Sequence, residues 1–470
     1  MPPSQTTFTG NLDLIVALIF SFGLLVASAV TGTFVAYPLL AALLLLMAAL
    51  VIRGFAISAL LKMAIAGAKQ AIPIVYILLL IGVLTAVWMA AGTVPALVYY
   101  GMQLISPRFF ILWAFLLSSG VSTLIGTSFG TVGTIGIALI AIARSSNIAI
   151  NPVAGAIIAG AFVGDRCSPL SSSAHLVATI TRTNLYTNLR NMLISSVWPM
   201  VLSVVFYAVL SLWQPQLSVQ ITDSPIATEL SKVFNLSFVS LIPAIIVLLL
   251  AILRVNVKLA MLASIGAGIA IAHSLQQISF FSILQFSLFG YEQDNPLLQS
   301  VLLGGGFLPM AKATIAVFIS TAFAGIFSGS QVLAFAHSWL QDVRTYRQLS
   351  RATVFISLLS NLFGCTQTIG ILLTEQIVRP HYERHYADRD WANQQLALAI
   401  ENTATVISPL IPWNIAGLIP ATVLAVGPSF IPYLGYLLLL PLFSVLRARS
   451  PLQTRSKTSL SAESNFSKNV

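Results

Sequence analysis

The sequence predicts an all-α polytopic membrane protein, and its composition and pattern lead to this fold class. Of its 470 residues, 57% are hydrophobic and only 8% are charged, whereas about 25% of residues in soluble domains are charged. The mean hydropathy is +0.92. Such a chain has lipid as its main solvent, which excludes a soluble enzyme, a disordered protein and a fibrous one. The apolar stretches do not alternate with a period of two residues, so helices are expected rather than a barrel.

Uncharged apolar stretches recur along the whole chain. A membrane-spanning helix needs about 20 residues, so these stretches have room for roughly ten to twelve spans. The stretches are residues 14–30, 37–52, 73–91, 109–143, 150–163, 174–181, 191–213, 237–253, 259–272, 313–330, 352–374, 392–400, 403–425 and 430–446. Residues 276–290 are also apolar, and a further span there would change the order of crossings.

Residues 109–143 are too many for one crossing, because a straight helix of that size would be roughly 52 Å long. Their middle is rich in Ser, Thr and Gly. Basic residues favour the cytoplasmic side. If 109–143 and 352–377 are both hairpins and the N-terminus is cytoplasmic, most of the 23 Lys and Arg lie inside. Reading both as full crossings moves four cations outside, and these are Arg182, Arg190, Arg254 and Lys258. We therefore predict two re-entrant hairpins.

Three sparse polar motifs recur in both halves of the chain at nearly the same offset. The pairs are Ala91-Gly92-Thr93 with Ser328-Gly329-Ser330, Ser122 to Ser128 with Ser360 to Thr366, and Ser168-Pro169-Leu170 with Ser408-Pro409-Leu410. We predict two inverted repeats, 1–213 and 237–446, joined by a polar linker, 214–236. Each would contain about five spans, one re-entrant hairpin and a broken helix. The basic tail, 447–470, is predicted to be disordered and cytoplasmic. Inverted repeats with interrupted helices are typical of secondary transporters.

Four polar interruptions are predicted at membrane depth, at 118–134, 164–175, 357–368 and 401–414. Unwound backbone persists inside a bilayer only where protein or a watery cavity satisfies its polar groups. Hydroxyl and carbonyl oxygens are also the ligands of a dehydrated Na⁺, and helix N-termini favour an anion. The interruptions therefore predict a site for a small ion or a small polar solute.

Asp165 and Glu401 lie at the edges of two interruptions, one in each half. A carboxylate that is shielded from water binds a proton more readily, and a bound cation opposes this. One such group therefore holds either a proton or a metal cation, which is the basis of an exchanger. Two structural alternatives stay open: Asp165 forms a salt bridge with Arg166, or Glu401 caps a helix at the membrane boundary.

The candidate binding residues surround these two acids. They are Asp165, Ser168, Ser171, Ser172, His175, Glu401, Asn402, Thr403, Ser408, Ser122, Gly126, Thr127, Ser128, Ser360, Asn361 and Thr366. Asp165, Ser168 and Glu401 are the predicted Na⁺ ligands. His175 suits proton coupling, because imidazole titrates near physiological pH, but a packing histidine fits equally well. Two cysteines exclude a zinc cluster of Cys ligands, and no phosphate loop for ATP is present. No cofactor is expected beside the transported Na⁺ and H⁺.

Several motifs resemble those of the NhaC-type Na⁺/H⁺ antiporters, a family of the ion transporter superfamily. They are Ala91-Gly-Thr-Val-Pro-Ala-Leu-Val-Tyr-Tyr100, Gly126-Thr-Ser-Phe-Gly-Thr131, Gly164-Asp-Arg-Cys-Ser-Pro-Leu-Ser171 and Ser408-Pro-Leu-Ile-Pro-Trp-Asn414. The resemblance implies exchange of Na⁺ for H⁺ across the bacterial inner membrane, and some relatives couple these ions to malate or lactate. It supports Asp165 and Ser168 as site residues. The chain departs from the family pattern at Ser172, which replaces an acid, and at His175, which replaces an amide.

The leading hypothesis is thus a cation/proton antiporter, not an enzyme, with many passes through the inner (plasma) membrane. The alternative is a Na⁺- or H⁺-coupled transporter of a small carboxylate or amino acid, with Arg166 and His175 near the solute. A channel or a scaffold is a third reading, which the paired interruptions disfavour. The expected partners are the lipid bilayer, small cations and, in the alternative, a small organic anion. Nucleic acid is not expected, and a homodimer is one option for the oligomeric state.

Overall fold

The computed structural model describes most of the chain. The described residues are 12–104, 107–146, 148–214, 225–253, 255–293, 295, 298, 302, 305–330, 332, 340–341, 343–386 and 388–448. Within these ranges the regular secondary structure is entirely helical, which confirms the predicted fold class. Two predicted segments lie outside the described residues. They are the tail from residue 449 onward, which is predicted to be disordered, and residues 215–224 of the predicted linker.

The first half contains ten helices in the described part. They are α1 (Leu12–Thr31), α2 (Ala36–Ile52), α3 (Ile57–Lys69), α4 (Ile72–Ala90), α5 (Thr93–Leu104), α6 (Phe110–Ile125), α7 (Ser128–Ser145), α8 (Ile150–Cys167), α9 (Ser172–Thr181) and α10 (Leu185–Leu212). A turn of π-helix, Val132–Gly136, lies inside α7. Helix α3 was not predicted, because Lys62 and Lys69 interrupt its hydropathy.

From residue 225 onward the described part has eleven α-helices, and the first of them lies in the predicted linker. They are α11 (Pro225–Val233), α12 (Ile242–Ile252), α13 (Val257–Ser274), α14 (Phe280–Phe289), α15 (Phe307–Gly329), α16 (Tyr346–Gly364), α17 (Gln367–His385), α18 (Arg389–Asn402), α19 (Ala404–Ile407), α20 (Ile415–Val423) and α21 (Gly435–Arg447). Helix α14 lies within the apolar stretch 276–290, and its 10 residues are too few for a crossing.

Six described helices are long and apolar enough to cross a membrane, or up to eight if each bent pair is one span. This is fewer than the roughly ten to twelve spans predicted, and five further apolar helices of the described part have only 10–17 residues. They are Ala36–Ile52, Phe110–Ile125, Phe238–Leu250, Phe280–Phe289 and Gly435–Arg447.

Helices α6 and α7 form a hairpin in which the chain reverses direction at Gly126 and Thr127. Both arms pack against α8, where the contacts show opposite directions. The pairs are Ser118 with Gly160 and Ser122 with Gly164 for α6, and Gly136 with Ile157 and Ser128 with Asp165 for α7. Gly126 has a φ of +76°, and a Cβ on it would lie 2.6 Å from the Cβ of Leu170. A glycine is therefore needed at this tip.

Helices α16 and α17 form a second hairpin, in the segment where the sequence predicts one. Its arms are antiparallel, since the hydroxyl of Tyr346 donates to the His385 carbonyl at 2.9 Å while Gly370 packs against Asn361 near the tip. The tip is left-handed at Cys365, with a φ of +51°. The side chain of Thr366 then accepts a hydrogen bond from Ile369 and starts α17.

Two helices are bent where the sequence predicts interruptions. Helices α8 and α9 meet at 42°, and the segment Arg389–Leu410 meets α20 at 49°. Both tips and both bends fall inside the four predicted polar interruptions. The inverted relation between the halves stays a prediction.

Candidate functional site

The carboxyl group of Asp165 is bound by both hairpin tips. The backbone N–H of Ser128, at the first tip, donates to its Oδ1 at 3.3 Å. The side-chain amide of Gln367, at the second tip, donates to its Oδ2 at 3.0 Å and also to the carbonyl oxygen of Thr405 at 3.1 Å. Asp165 is only 5% exposed. Parts of both halves therefore meet at one buried carboxylate.

Serine hydroxyls hold the bend between α8 and α9. Ser171 and Ser173 both donate to the backbone carbonyl of Asp165. The hydroxyl of Ser168, which is fully buried, accepts from the backbone N–H of Leu170 at 3.2 Å. These bonds replace the intrahelical partners that the bend removes, and they fix the position of Asp165.

The guanidinium group of Arg166 contacts residues of both halves and not the carboxylate of Asp165. Arg166 is fully buried, and its guanidinium group donates to neutral oxygens on three other helices or their ends. The acceptors are the Glu401 carbonyl, the Asn402 side chain, Ser195, Ser196 and the Tyr436 hydroxyl. Among the described residues, neither Asp165 nor Arg166 belongs to a salt bridge. The alternative of an Asp165–Arg166 ion pair is therefore not observed.

Glu401 lies in the last turn of α18 and is only 1% exposed. Neither of its carboxylate oxygens has a hydrogen-bond partner within the described part of the chain, so it does not cap a helix. Thr405 lies close to this carboxyl group, with its own hydroxyl hydrogen unpaired. The nearby positive charge is Arg166. Buried carboxylates are normally hydrogen-bonded, so this one has unused binding capacity.

Other predicted site residues connect the second hairpin to the second bend. The amide of Asn361 donates to the carbonyls of Ser357 and Ala404 at 2.9 and 3.0 Å. The hydroxyls of Thr403 and Ser357 lie 2.8 Å apart. These bonds hold α16 against α19.

Ser408 and Ser360 are both fully buried. Ser408 donates to the Thr405 carbonyl at 2.9 Å, whereas the Ser360 hydroxyl has no partner among the described groups. In the first half, the hydroxyl of Ser122 donates to the Ala161 carbonyl and so fastens α6 to α8.

Two predicted site residues lie outside this buried cluster. Ser172 and His175 are exposed, and the imidazole Nε2 of His175 lies 3.0 Å from the Pro169 carbonyl. These are the two positions at which the sequence departs from the family pattern. The structure thus separates them from the buried carboxylates.

Three residues of the cluster were not among the predicted ligands: Gln367, Thr405 and Ser173. All three lie inside predicted interruptions, so a signal was present. Gln367 follows Thr366 just as Ser128 follows Thr127, but a side-chain amide is a weaker sequence signal than a carboxylate. In the described residues, no group of three or more His, Cys, Asp or Glu could hold a metal.

The chain is similar to known proteins over most of its length. The model of a family described as the Na⁺/H⁺ antiporter family matches residues 7–184 and 160–446. The malate-2H⁺/Na⁺-lactate antiporter of Bacillus subtilis is 30% identical over 373 residues, covering 78% of this chain and 79% of the relative. The Na⁺/H⁺ antiporter NhaC of Alkalihalophilus pseudofirmus is 30% identical over 386 residues, covering 81% and 82%. The arginine/ornithine antiporter ArcD of Halobacterium salinarum is 30% identical over 383 residues, covering 79% and 77%.

Proposed function

As the chain belongs to the Na⁺/H⁺ antiporter family, whose members are secondary antiporters of the plasma membrane, we propose that Asp165 is the carboxylate at which Na⁺ and H⁺ compete. The observation that carries this assignment is the position of Asp165 between both hairpin tips. When the halves move apart, the carboxylate of Asp165 loses hydrogen bonds from one of them, so its affinity for a proton or a cation changes. Its occupant is therefore coupled to the direction in which the site opens.

The chemistry of the exchange needs one negative charge and several neutral oxygens. A bound Na⁺ would take the charged carboxylate of Asp165, the Thr405 carbonyl and the Ser128 hydroxyl as ligands, since it is a hard cation. When Na⁺ leaves, a proton neutralises the same carboxylate, because a lone negative charge at this depth is unfavourable. Each occupant excludes the other, and this competition yields counter-transport when the empty, charged site does not cross.

Glu401 has a different part in this proposal. Its negative charge balances that of Arg166 next to the exchange site. Losing either member of this pair leaves an uncompensated charge in the core, which is strongly destabilising. In this proposal, Glu401 contributes to the electrostatic potential at the site and does not bind the exchanged cation directly.

The two-repeat organisation is part of the same proposal. Residues 1–213 and 237–446 would be inverted repeats around the site. Two features support this: left-handed tips at Gly126 and Cys365 that start α7 and α17 alike, and one bent helix in each half. An organic solute is a second candidate cargo, because two relatives of 30% identity are named as a malate-2H⁺/Na⁺-lactate antiporter and an arginine/ornithine antiporter.

The test uses everted vesicles with an established pH gradient. Adding Na⁺, Li⁺ or K⁺ should collapse the gradient in vesicles with the wild-type protein, and the Asp165→Asn variant should give no response. If no cation has an effect on wild-type vesicles, exchange of monovalent cations for protons is ruled out as the function.

A further inference from the structure

The outer segments of the two bent helices, α9 and α20, end in the same backbone motif. At the end of α9, Arg182 is left-handed with a φ of +55°, and the N–H of the next residue donates to the Ala178 carbonyl at 2.9 Å. At the end of α20, Ala425 is left-handed with a φ of +50°, and the N–H of the next residue donates to the Ala421 carbonyl at 2.9 Å. This Schellman motif leaves the last carbonyl oxygens of each helix to other donors.

An arginine from the opposite half donates to each of these helix ends. Arg144 of α7 donates through Nη2 to the carbonyls of Leu424 and Ala425, at 2.8 and 3.1 Å. Arg379 of α17 donates through Nη2 to the Ile180 carbonyl of α9 at 2.6 Å. Charged donors make strong hydrogen bonds, and the negative end of the helix dipole favours a cation. We call the contact of Arg144 with α20 the first clasp and that of Arg379 with α9 the second clasp.

The two arginines are held differently within their own halves. Arg379 forms ion pairs with Glu375 and, at 3.5 Å, with Glu383, and its Nη1 donates to Asn393 at 3.3 Å. For Arg144, the carbonyls at the end of α20 are the only hydrogen-bond partners among the described residues. Both arginines therefore bridge the halves, and both belong to the second arm of a hairpin whose tip binds Asp165.

The two clasps lie on opposite sides of Asp165. Helix α7 is antiparallel to α8, as the contact of Gly136 with Ile157 shows, so Arg144 at the end of α7 is near the start of α8. Helix α8 has 18 residues, or about 27 Å, and carries Asp165 in its last turn. Helix α9 continues after a bend of 42° for 10 residues, or about 15 Å, to the contact with Arg379. The proposed exchange site is therefore between the clasps.

Basic residues indicate which face the second clasp belongs to. Arg182, Arg379 and Arg389 line a cavity of about 250 Å³ at this clasp, together with Glu375 and Glu383. Basic residues are enriched on the cytoplasmic side of membrane proteins. We therefore expect the second clasp on the cytoplasmic side and the first clasp on the outer side.

We propose that the two clasps are the gates of the exchange site, with Arg144 and Arg379 as positioning residues. The site opens toward one face when the clasp on that face breaks, while the other clasp keeps the two halves together on its own side. Because each clasp fastens one hairpin arm to the bent helix of the other half, breaking it frees that hairpin to move away from Asp165. This proposal rests on the proposed role of Asp165 as the exchange site.

The test measures from which face a reagent reaches the site. A reporter cysteine, Ser128→Cys, is placed at the buried first tip beside Asp165, in the full chain without its native cysteines, Cys167 and Cys365. A membrane-impermeant thiosulfonate is added to everted vesicles, which expose the cytoplasmic face, and to right-side-out vesicles. The labelling rate of the reporter is measured in both, at constant Na⁺.

Each clasp variant should raise the labelling rate from one face. Arg379→Gln should raise it about tenfold in everted vesicles, and Arg144→Gln about tenfold in right-side-out vesicles, the usual effect of losing a hydrogen bond from a charged group. The reverse assignment of faces would support the gates and correct only the predicted orientation. Arg144→Lys and Arg379→Lys keep the charge but lose the guanidinium fork. They should give smaller increases at the same faces, and they replace any Gln variant that does not reach the membrane.

Arg389→Gln is the matched control, because Arg389 lines the same cavity as Arg379 and has no hydrogen bond or ion pair within the described ranges. Its labelling rate should equal that of the wild-type protein from both faces. The proposal is overturned if both clasp variants act from the same face, if one of them raises labelling equally from both faces, as general loosening would, or if one changes neither rate.

This readout is independent of ion exchange, since labelling requires no movement of Na⁺ or H⁺. Labelling from opposite faces without cation-driven proton movement in the vesicle assay would support the clasps and refute the exchange role of Asp165. Cation-driven proton movement without this split would leave Asp165 in place and refute the clasps.

Discussion

Asp165 and Glu401 stand in the last turns of α8 and α18 and are both buried, yet they differ in their hydrogen bonds and in the charge beside them. Asp165 accepts hydrogen bonds from both hairpin tips. Glu401 accepts none from the described residues and lies beside Arg166 instead. The comparison teaches that two buried acids near the two bends differ in their partners, which is the basis for proposing that Asp165 holds the exchangeable ion and that Glu401 balances a fixed charge.

The hairpin tips, in contrast, are alike. Gly126 and Cys365 are both left-handed, and the residues that follow Thr127 and Thr366 each start a helix. Both tips also donate to the same acid, Asp165. The two tips are therefore alike in backbone conformation, whereas the two acids differ in their partners, so variants of the two acids should behave differently.

The largest effect is expected for Asp165→Asn. An amide cannot exchange a proton for a cation, so the rate of Na⁺-driven proton movement in everted vesicles should fall by roughly 100-fold or more, beyond detection. The control is Asp390→Asn, an identical change at an exposed position, which should leave the rate unchanged. Retained exchange in the Asp165→Asn variant would refute the assignment.

The second effect concerns stability and separates Glu401 from Asp165. Replacing Arg166 with Gln leaves Glu401 uncompensated in the core and should cost about 3–5 kcal/mol. The double variant Arg166→Gln with Glu401→Gln removes both charges and should recover a large part of this loss. Thermal unfolding in detergent measures both. The single variant Glu401→Gln is measured as well. If the loss of stability in the double variant equals the sum of the losses in Arg166→Gln and Glu401→Gln, the two groups do not balance each other.

The third effect concerns the second tip. Gln367→Leu removes the amide that bridges Asp165 and the Thr405 carbonyl, so the KM for Na⁺ in the vesicle assay should rise by roughly tenfold. Gln394→Leu serves as the control, because Gln394 lies on α18 and is not a hydrogen-bond partner of Asp165. An unchanged KM would mean that the second hairpin does not take part in binding the cation.

The smallest effect is expected at the first tip. Gly126→Ala introduces a Cβ 2.6 Å from Leu170 at a φ of +76°, which should destabilise the protein by about 1–2 kcal/mol. Cys365→Ala at the other tip keeps the existing Cβ, so it should cost less. If thermal unfolding shows the same loss of stability in both variants, the close approach of Gly126 to Leu170 does not affect stability.

The sequence predicts the backbone of the site better than its contacts. All four interruptions were predicted, because polar residues and glycines inside apolar stretches are a local signal. The contacts of Arg166 were not predicted, since its acceptors lie on α10, α18 and α21, which are distant in sequence. The bridge formed by Gln367 depends in the same way on the second hairpin packing against α8. Helix α3 was missed for a local reason, its two lysines, although Gly67 fits closely against Gly325 of α15.

The most direct test counts the protons released when Na⁺ binds to the purified protein, by calorimetry in two buffers of different ionisation enthalpy. The wild-type protein should release protons on binding Na⁺. The Glu401→Gln variant should still release protons, and the Asp165→Asn variant should release none. Release that survives in Asp165→Asn and disappears in Glu401→Gln would place the competition at the other acid and contradict this account.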